Sequence, residues 1–354
     1  MGLVVALAHN LKPKQKASHL PEDYYSECDS ERTVGSIVRA LEMNGHTVLR
    51  VEANEELLTF FQRHAVDIVF NVAEGFHGTS REAQVPSILE FLGIPYTGSG
   101  PLALSLSLDK TMSKRVFSHE GIPTPKWQLF TAEREPLDSQ LQFPLIVKPN
   151  REGSAKGISA SSVVRSADEL YAEVRKVQQL YQQEALVEEF IDGMELTVAV
   201  LGNQPPRALT PMEVDFSGCR RSGEYFYSWR MKEYQGNESL GLVPQFYCPP
   251  RLDAQMQQLI ETAALRAHQA LGCQDVSRTD IRLSASGVPY VLEVNPLPGL
   301  DPEESNLPMI AKSCGIGYEA LIEQILRSAL ERKMSRGAGP VRAGKEGVVE
   351  GQRV

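Results

Sequence analysis

The chain has 354 residues, of which 42% are hydrophobic and 23% are charged, and its formal net charge is −9. Its length exceeds one ordinary hydrophobic core and predicts two or three compact units. The acidic balance argues against a broad nucleic-acid-binding surface. The five cysteines are scattered without zinc spacing, and no apolar run approaches a membrane span. We therefore expect a soluble, cytoplasmic protein that binds neither nucleic acid nor membrane.

Strand and helix patterns alternate over the first hundred residues. Strand patterns cover residues 3–8, 47–51 and 67–72, with amphipathic helices between them at about 34–44 and 57–64. This βαβαβ order predicts a small parallel sheet of the Rossmann-like kind.

The rest of the chain is dominated by strands with a few long helices. A strand pattern at 144–149 leads into a Gly- and Ser-rich loop, and a long amphipathic helix is predicted at about 252–271. The tail lacks periodicity and is expected to be disordered. We expect an N-terminal unit, a central unit, a C-terminal unit and a tail, at residues 1–104, 105–185, 186–333 and 334–354 respectively.

Two polar strings near the C-terminus predict a metal site. Arg278 and Asp280 lie in one string and Glu293 and Asn295 in the other, and residues 285–287 between them favour a tight turn. Since strand side chains alternate, the hairpin sets Asp280 opposite Glu293 on one face. Hard oxygen ligands suit Mg²⁺, which shares its shell with phosphates. The alternative is a surface hairpin whose charges are only solvated.

Two further segments are candidates for nucleotide binding. Lys148 ends a strand, and residues 151–157 follow with two glycines whose backbone N–H groups can surround an anion. No Walker loop and no GxGxxG motif after the first strand occurs. A plain turn is the alternative for this loop. Residues 186–196 form a strand, a hinge and an acidic residue, suited to adenine and ribose, or else an edge strand with solvated glutamates.

In chain order these motifs resemble the ATP-grasp superfamily and, within it, the D-alanine–D-alanine ligases. The resemblance covers most of residues 67–330, and its strings include Phe76-His77-Gly78, Tyr96-Thr97-Gly98-Ser99, Asp109-Lys110, Gly121-Ile122-Pro123, and residues 143–159, 187–202, 226–232 and 278–308. It implies an α/β (α+β) ATP-grasp fold, with an N-terminal parallel-sheet domain, a small central domain and a C-terminal antiparallel-sheet domain.

The resemblance also implies ATP, two Mg²⁺ ions for which Mn²⁺ can substitute, and a role for each matching residue. The implied ATP contacts are Lys110, Lys148, Ser154, Gly157, Glu188, Glu189, Phe190, Ile191, Glu195 and Lys232. The implied metal ligands are Asp280, Glu293 and Asn295. Arg278, Ser154 and His77 would act near the reacting groups. Gly299 and Ser305 would bind the carboxylate of the amine donor.

The implied activity is ATP-dependent joining of a carboxylate to an amine through an acyl phosphate. D-alanine is the expected substrate at both positions, and a homodimer is implied. One alternative is the same mechanism with another amino acid or a small natural-product acid. A second is a nucleotide-binding protein without catalysis, which the intact hairpin residues argue against. An ATP-grasp carboxylase is a third, disfavoured by the amino-acid loop at 298–305.

The departures from the family pattern cluster around the first substrate. The first strand ends Ala8-His9-Asn10 instead of Gly-Gly-x-Ser, and residues 11–29 form a stretch that the family mostly lacks. Glu31 is the candidate for holding the first ammonium, although a helix N-terminal acid favoured by the dipole is the alternative. Ala155 stands for a second loop serine, and the expected tyrosine after Lys232 is displaced. The chemistry is therefore expected to be retained, with the first substrate left open.

Overall fold

The computed structural model describes residues 2–15 and 20–335. Its first unit is a parallel sheet in the order β2-β1-β3, formed by β1 (Val4–His9), β2 (Thr47–Glu52) and β3 (Ile68–Asn71). The accompanying helices are α1 (Glu31–Met43), α2 (Leu57–Arg63) and α3 (Gln84–Leu92). α1 starts because the Ser30 side chain accepts a hydrogen bond from the Thr33 N–H. The parallel sheet confirms the prediction.

The central unit is built on a four-stranded antiparallel sheet in the order β4-β7-β5-β6. Its elements are α4 (Pro101–Leu108), α5 (Lys110–His119), β4 (Trp127–Phe130), β5 (Leu145–Pro149), β6 (Val163–Val164), α6 (Ala167–Tyr181) and β7 (Ala185–Glu189). Leu170, Val174 and Val177 of α6 are buried in the core of this sheet. Because β7 pairs with both β4 and β5, we propose that this unit ends after Glu189, slightly later than the predicted boundary.

A six-stranded antiparallel sheet forms the C-terminal unit, in the order β11-β10-β8-β12-β13 with β9 on β8. Its strands are β8 (Gly193–Leu201), β9 (Arg207–Ala208), β10 (Met212–Asp215), β11 (Gln245–Tyr247), β12 (Val276–Ser284) and β13 (Pro289–Asn295). Its helices are α7 (Trp229–Glu233), α8 (Ala254–Ala270), α9 (Asn306–Ser313) and α10 (Tyr318–Ser335). The fold class matches the prediction. From residue 336 onward, the predicted tail lies outside the described residues.

One hydrophobic core joins the first and last units. Leu7 and Ile37 of the N-terminal unit share it with Leu201, Leu321 and Ile325 of the C-terminal unit. This core packs α10 against α1 and fixes the parallel sheet relative to the large antiparallel sheet. Among the described residues, no helix combines the length and apolarity needed to cross a membrane.

His268 of α8, which packs against the large antiparallel sheet, makes the stability of the fold depend on pH. Its Nδ1 lies 2.7 Å from the Ser277 Oγ, and burial lowers its pKa from 6.5 to about 4. Between these values the unfolded chain binds a proton that the folded chain does not, so the free energy of unfolding falls as pH drops from 6.5 to 4. This contribution is about 3 kcal/mol at 1.36 kcal/mol per pKa unit.

Between neutral pH and a pH of about 4, the free energy of unfolding of a His268→Gln variant should therefore fall by about 3 kcal/mol less than that of the wild type. Urea unfolding at both pH values measures this difference. An equal fall in the free energy of unfolding of the two proteins would contradict a neutral, buried His268.

Candidate active site

The predicted hairpin forms between β12 and β13. Asp280 pairs with Glu293 and Arg278 pairs with Asn295, as the alternation of side chains indicated. Gly287 in the connecting turn has a φ of +80°, a backbone conformation that glycine adopts without strain. The predicted register is therefore confirmed.

Charged groups of both signs surround this hairpin. Arg278 donates to the Asp280 carboxylate through Nε at 3.0 Å and Nη2 at 2.7 Å, and Asn295 Nδ2 donates to Asp280 Oδ2 at 3.2 Å. The Lys110 Nζ lies 3.2 Å from Glu293 Oε2. Burial opposes ionisation of Glu293, but Lys110 and other nearby cations outweigh it and lower its pKa well below the ordinary value. An ionised carboxylate beside a second one and an amide suits a hard divalent cation.

A cavity of about 290 Å³ adjoins the hairpin. Its walls come from all three units, because the ends of β3 and β13, the loop after β5 and the α7 region converge there. The predicted site residues that line it are Lys110, Ser154, Lys232, Arg278, Glu293, Asn295, Gly299 and Ser305. Burial and the neighbouring Arg278 lower the pKa of Lys232.

The loop after β13 forms one wall of this cavity. Ser305 is the N-cap residue of α9, and its Oγ accepts a hydrogen bond from the Asp301 N–H at 3.0 Å. A Cβ at Gly299 would lie 2.8 Å from this Oγ, so a side chain there would collide with Ser305. Asp301 in turn accepts from Arg32 Nε at 2.9 Å, which ties the loop to α1. The loop is thus rigid and leaves space where the amine donor is predicted to bind.

A buried ionic cluster lies behind the predicted phosphate site. The Glu188 carboxylate lies 3.0 Å from both the Lys148 Nζ and the Lys114 Nζ. Burial opposes the ionisation of Glu188, but the two lysines outweigh it and lower its pKa. Burial lowers the pKa of Lys114 to about 8. Sequence reasoning missed Lys114, although its i,i+4 spacing from Lys110 puts both on one face of α5.

The remaining predicted nucleotide residues lie outside the cavity. The N–H groups of Glu189 and Phe190 donate to backbone carbonyls at 3.0 and 2.9 Å. Glu195 forms a buried ion pair of 2.7 Å with Arg282, its cross-strand neighbour on β12. Burial raises the pKa of Glu195. Adenine and ribose contacts in this region, including those of Ile191, stay predictions.

Asp280 is not itself among the residues that line the cavity, and the predicted residues Glu31 and His77 lie away from it as well. Glu31 is the first residue of α1, its side chain is 66% exposed, and it accepts from Arg50 Nη2 at 2.8 Å. Glu31 is therefore an acid at the N-terminus of a helix, as the alternative interpretation proposed. His77 is exposed, and its backbone carbonyl accepts from Gln84 Nε2 at 2.8 Å. His77 is not among the residues that line the cavity.

Three carboxylates that sequence reasoning missed converge on the cavity. Glu27, Glu74 and Glu82 line it, and each has an oxygen within 4.8 Å of the others. Glu27 accepts from Arg81 Nη2 and from the Gly153 N–H, both at 2.6 Å. The charge of Arg81 acts on both Glu74 and Glu82 and favours their ionised forms. Burial, then the charges of neighbouring glutamates, raises the pKa of Glu82 to about 8.

Comparison with known proteins agrees with this geometry. A family model described as D-ala D-ala ligase C-terminus matches residues 116–327. The chain is 34% identical over 317 residues to an uncharacterized protein of Sinorhizobium fredii, covering 86% of this chain and 90% of that protein. It is 35% identical over 311 residues to the D-alanine–D-alanine ligase of Carboxydothermus hydrogenoformans, covering 85% of this chain and 94% of the relative.

Solved structures show the same architecture. The D-alanine–D-alanine ligase from Bacillus anthracis complexed with ATP superimposes with a TM-score of 0.72 at 25% identity, covering 95% of this chain and all (100%) of that chain. The VanG D-Ala:D-Ser ligase from Enterococcus faecalis has the same fold, with a TM-score of 0.70, 23% identity, and coverage of 93% and 100%. The chain therefore belongs to the D-alanine–D-alanine ligase family, within the ATP-grasp fold.

Proposed function

We propose that the protein is an ATP-dependent ligase that joins the carboxylate of one D-alanine to the amine of a second, with release of ADP and phosphate. One observation carries this proposal: a single cavity brings the polar hairpin residues Arg278, Glu293 and Asn295 next to the loop of Gly299 and Ser305. A phosphate-handling site and an amino-acid loop are the two parts that such a reaction needs. The relatives named as ligases support it.

The chain's own residues account for the chemistry. A carboxylate is a poor electrophile, so transfer of the ATP γ-phosphoryl group to it first forms an acyl phosphate; the second amine then attacks the carbonyl carbon and phosphate leaves. Lys110 and Lys148 would neutralise charge on the phosphates, and Arg278 would stabilise the negative charge of the tetrahedral intermediate. The oxygens of Asp280, Glu293 and Asn295 fit Mg²⁺, which when bound supplies further charge neutralisation. Binding of two ions stays a prediction, as do the homodimer and the cytoplasmic location.

Glu27 replaces Glu31 as the candidate for the first ammonium. Glu27 lines the cavity and already accepts a hydrogen bond from the Gly153 N–H in the loop of residues 151–157, whereas Glu31 is exposed and paired with Arg50. A hydrogen bond to a charged group contributes ~1.5–3 kcal/mol, so Glu27→Gln should raise the KM of the first amino acid by about 10-fold or more. Glu31→Gln is the matched control and should leave that KM unchanged. Initial rates with the first substrate varied measure both values, and the opposite pattern would restore Glu31.

A second candidate function is the same reaction with a different first amino acid. The specific observation in its favour is the convergence of Glu27, Glu74 and Glu82, because one ammonium group neutralises only one of these carboxylates. Arg81 already pairs with Glu27 and Glu152. Burial and neighbouring glutamates raise the pKa values of Glu74 and Glu82, and an amino acid with a second positively charged group would stabilise their ionised forms.

One experiment separates these candidates. Phosphate release from Mg·ATP is measured with single D- and L-amino acids, including diamino acids, and with pairs of them, and mass spectrometry identifies the products. Turnover of D-alanine alone to its dipeptide supports the first candidate. Turnover only with a diamino acid supports the second. No phosphate release with any amino acid would contradict both and favour a nucleotide-binding protein without catalysis.

A further inference from the structure

The segment of residues 11–29 leaves the carboxyl end of β1 and returns to the same place. The Asp29 N–H donates to the Asn10 carbonyl at 2.8 Å, and the Lys12 N–H donates to the Asp29 carbonyl at 2.9 Å. Residues 16–19 within it are not among those described. The two ends of the segment are thus held together, and its described parts, residues 11–15 and 20–29, start and finish beside the cavity.

Side chains of this segment bond the backbone of the predicted phosphate-covering loop, residues 151–157. Asp23 Oδ2 accepts from the Gly157 N–H at 2.7 Å and from the Tyr181 hydroxyl at 2.7 Å. Glu27 Oε1 accepts from the Gly153 N–H at 2.6 Å. Each of these hydrogen bonds joins residues that are more than a hundred positions apart in the chain. Together they hold the loop at Gly153 and at Gly157.

The phosphate-covering loop has a conformation that its own residues do not favour. Ser154 and Ala155 have φ values of +49° and +56°, which cost ~1 kcal/mol or more for residues with a side chain. Gly157 has a φ of +78°, and a Cβ there would lie 2.4 Å from Pro149 Cγ. Such a backbone persists only where its surroundings hold it. Asp23, which is 6% exposed, is the carboxylate that bonds its far end.

The same segment contacts the second loop beside the cavity. The Lys12 Nζ lies 3.1 Å from Glu233 Oε2, and Glu233 follows Lys232 directly on α7. The ion pair is partly exposed, so it contributes at most about 1 kcal/mol. Through this ion pair the segment contacts the region of Lys232 in addition to the loop of Ser154, and both of these residues line the cavity.

We propose that residues 11–15 and 20–29 form a strap that positions the phosphate-covering loop over the reacting groups, with Asp23 as its main positioning residue. This inference rests on the proposed ligase function. An acyl phosphate exposed to water is hydrolysed to the original carboxylate and inorganic phosphate, so that ATP is consumed without a dipeptide. The strap keeps the loop closed and water excluded until the amine attacks.

The test compares the amounts of ADP and dipeptide formed in the same reaction by the full-length protein. The wild type should form one ADP per dipeptide. Asp23→Ala should form several-fold more ADP than dipeptide, with a higher KM for ATP. Asp23→Asn keeps an acceptor oxygen and should restore most of the coupling. Tyr181→Phe removes one of the two hydrogen bonds and should give a smaller excess of ADP, and Glu261→Gln, on another surface of the molecule, is the control with full coupling.

Amide hydrogen exchange gives a second readout that needs no turnover. Asp23→Ala should speed exchange at Gly153 and Gly157, while exchange elsewhere in the central sheet stays unchanged. A coupling ratio of one and unchanged exchange in both Asp23→Ala and Tyr181→Phe would overturn the strap. Faster exchange in a protein that never turns over ATP would instead retain the strap and refute the ligase function. If Asp23→Ala does not fold, Tyr181→Phe alone decides by the same two measurements.

Discussion

Replacing Glu293 by glutamine is expected to lower kcat by about 10²–10³-fold, the range seen when one preorganised electrostatic group is removed from a site. Glu293 is the ionised carboxylate that faces Asp280 across the hairpin and lies 3.2 Å from the Lys110 Nζ. Glutamine keeps its size but removes the charge that would hold a divalent cation and orient Lys110. Asp280→Asn should act in the same direction. Coupled measurement of ADP release at saturating ATP reports the effect.

The control for this prediction is an acid outside the cavity. Glu261 of α8 lies on another surface, beside Leu265, so Glu261→Gln should turn over ATP at the wild-type rate. Circular dichroism and thermal unfolding of each variant establish that the fold is retained. Wild-type turnover by a folded Glu293→Gln protein would refute the hairpin as the metal and phosphate site.

Glu188→Ala is expected to lower the free energy of unfolding by about 3–5 kcal/mol, the usual cost of removing one partner from a buried ion pair. Lys114 is fully buried, and Lys148 is nearly so, and both have Glu188 as their carboxylate partner at 3.0 Å. Without Glu188, the positive charges of the two lysines remain in the interior and no longer have this carboxylate as a partner. Urea unfolding monitored by fluorescence measures the loss.

A second substitution distinguishes this mechanism from a simple cavity effect. Adding Lys114→Met to Glu188→Ala removes one of the two unpaired charges, so the double variant should be more stable than Glu188→Ala alone. A double variant whose loss equals the sum of the single losses would show that the charges do not interact.

The features that sequence reasoning placed correctly are local ones. The pairing of Asp280 with Glu293 is completed within one hairpin: the chain turns at Gly287, and a shift in register between Asp280 and Ile281 then sets Asp280 opposite Glu293. The face of α1 that includes Val34 and Ile37 follows from the helical period, and both are buried. Short-range periodicity is sufficient for such elements because each is completed within a few residues.

The acids around the first substrate could not be placed in this way. Glu27 and Glu31 are close together in the chain: Glu27 precedes α1, and Glu31 is the first residue of that helix. Ser30, the N-cap residue, fixes where the helix starts. Glu27 lies before it and lines the cavity, whereas Glu31 lies in the first turn of the helix. Glu31 then pairs with Arg50 of a neighbouring strand, a contact that no local pattern indicates.

By itself, the sequence determined the hairpin that carries Asp280 and Glu293, the order of strands and helices, and the motifs of the ATP-grasp resemblance, because each of these depends on residues close together in the chain. Only the tertiary structure brought Glu27, Glu74 and Glu82 together and moved His77 out of the site. Those three glutamates come from the strap, the end of β3 and the turn before α3, which meet when the N-terminal sheet packs on the shared core. Side chains from distant segments become neighbours through packing, and packing has no short-range signature in a single sequence.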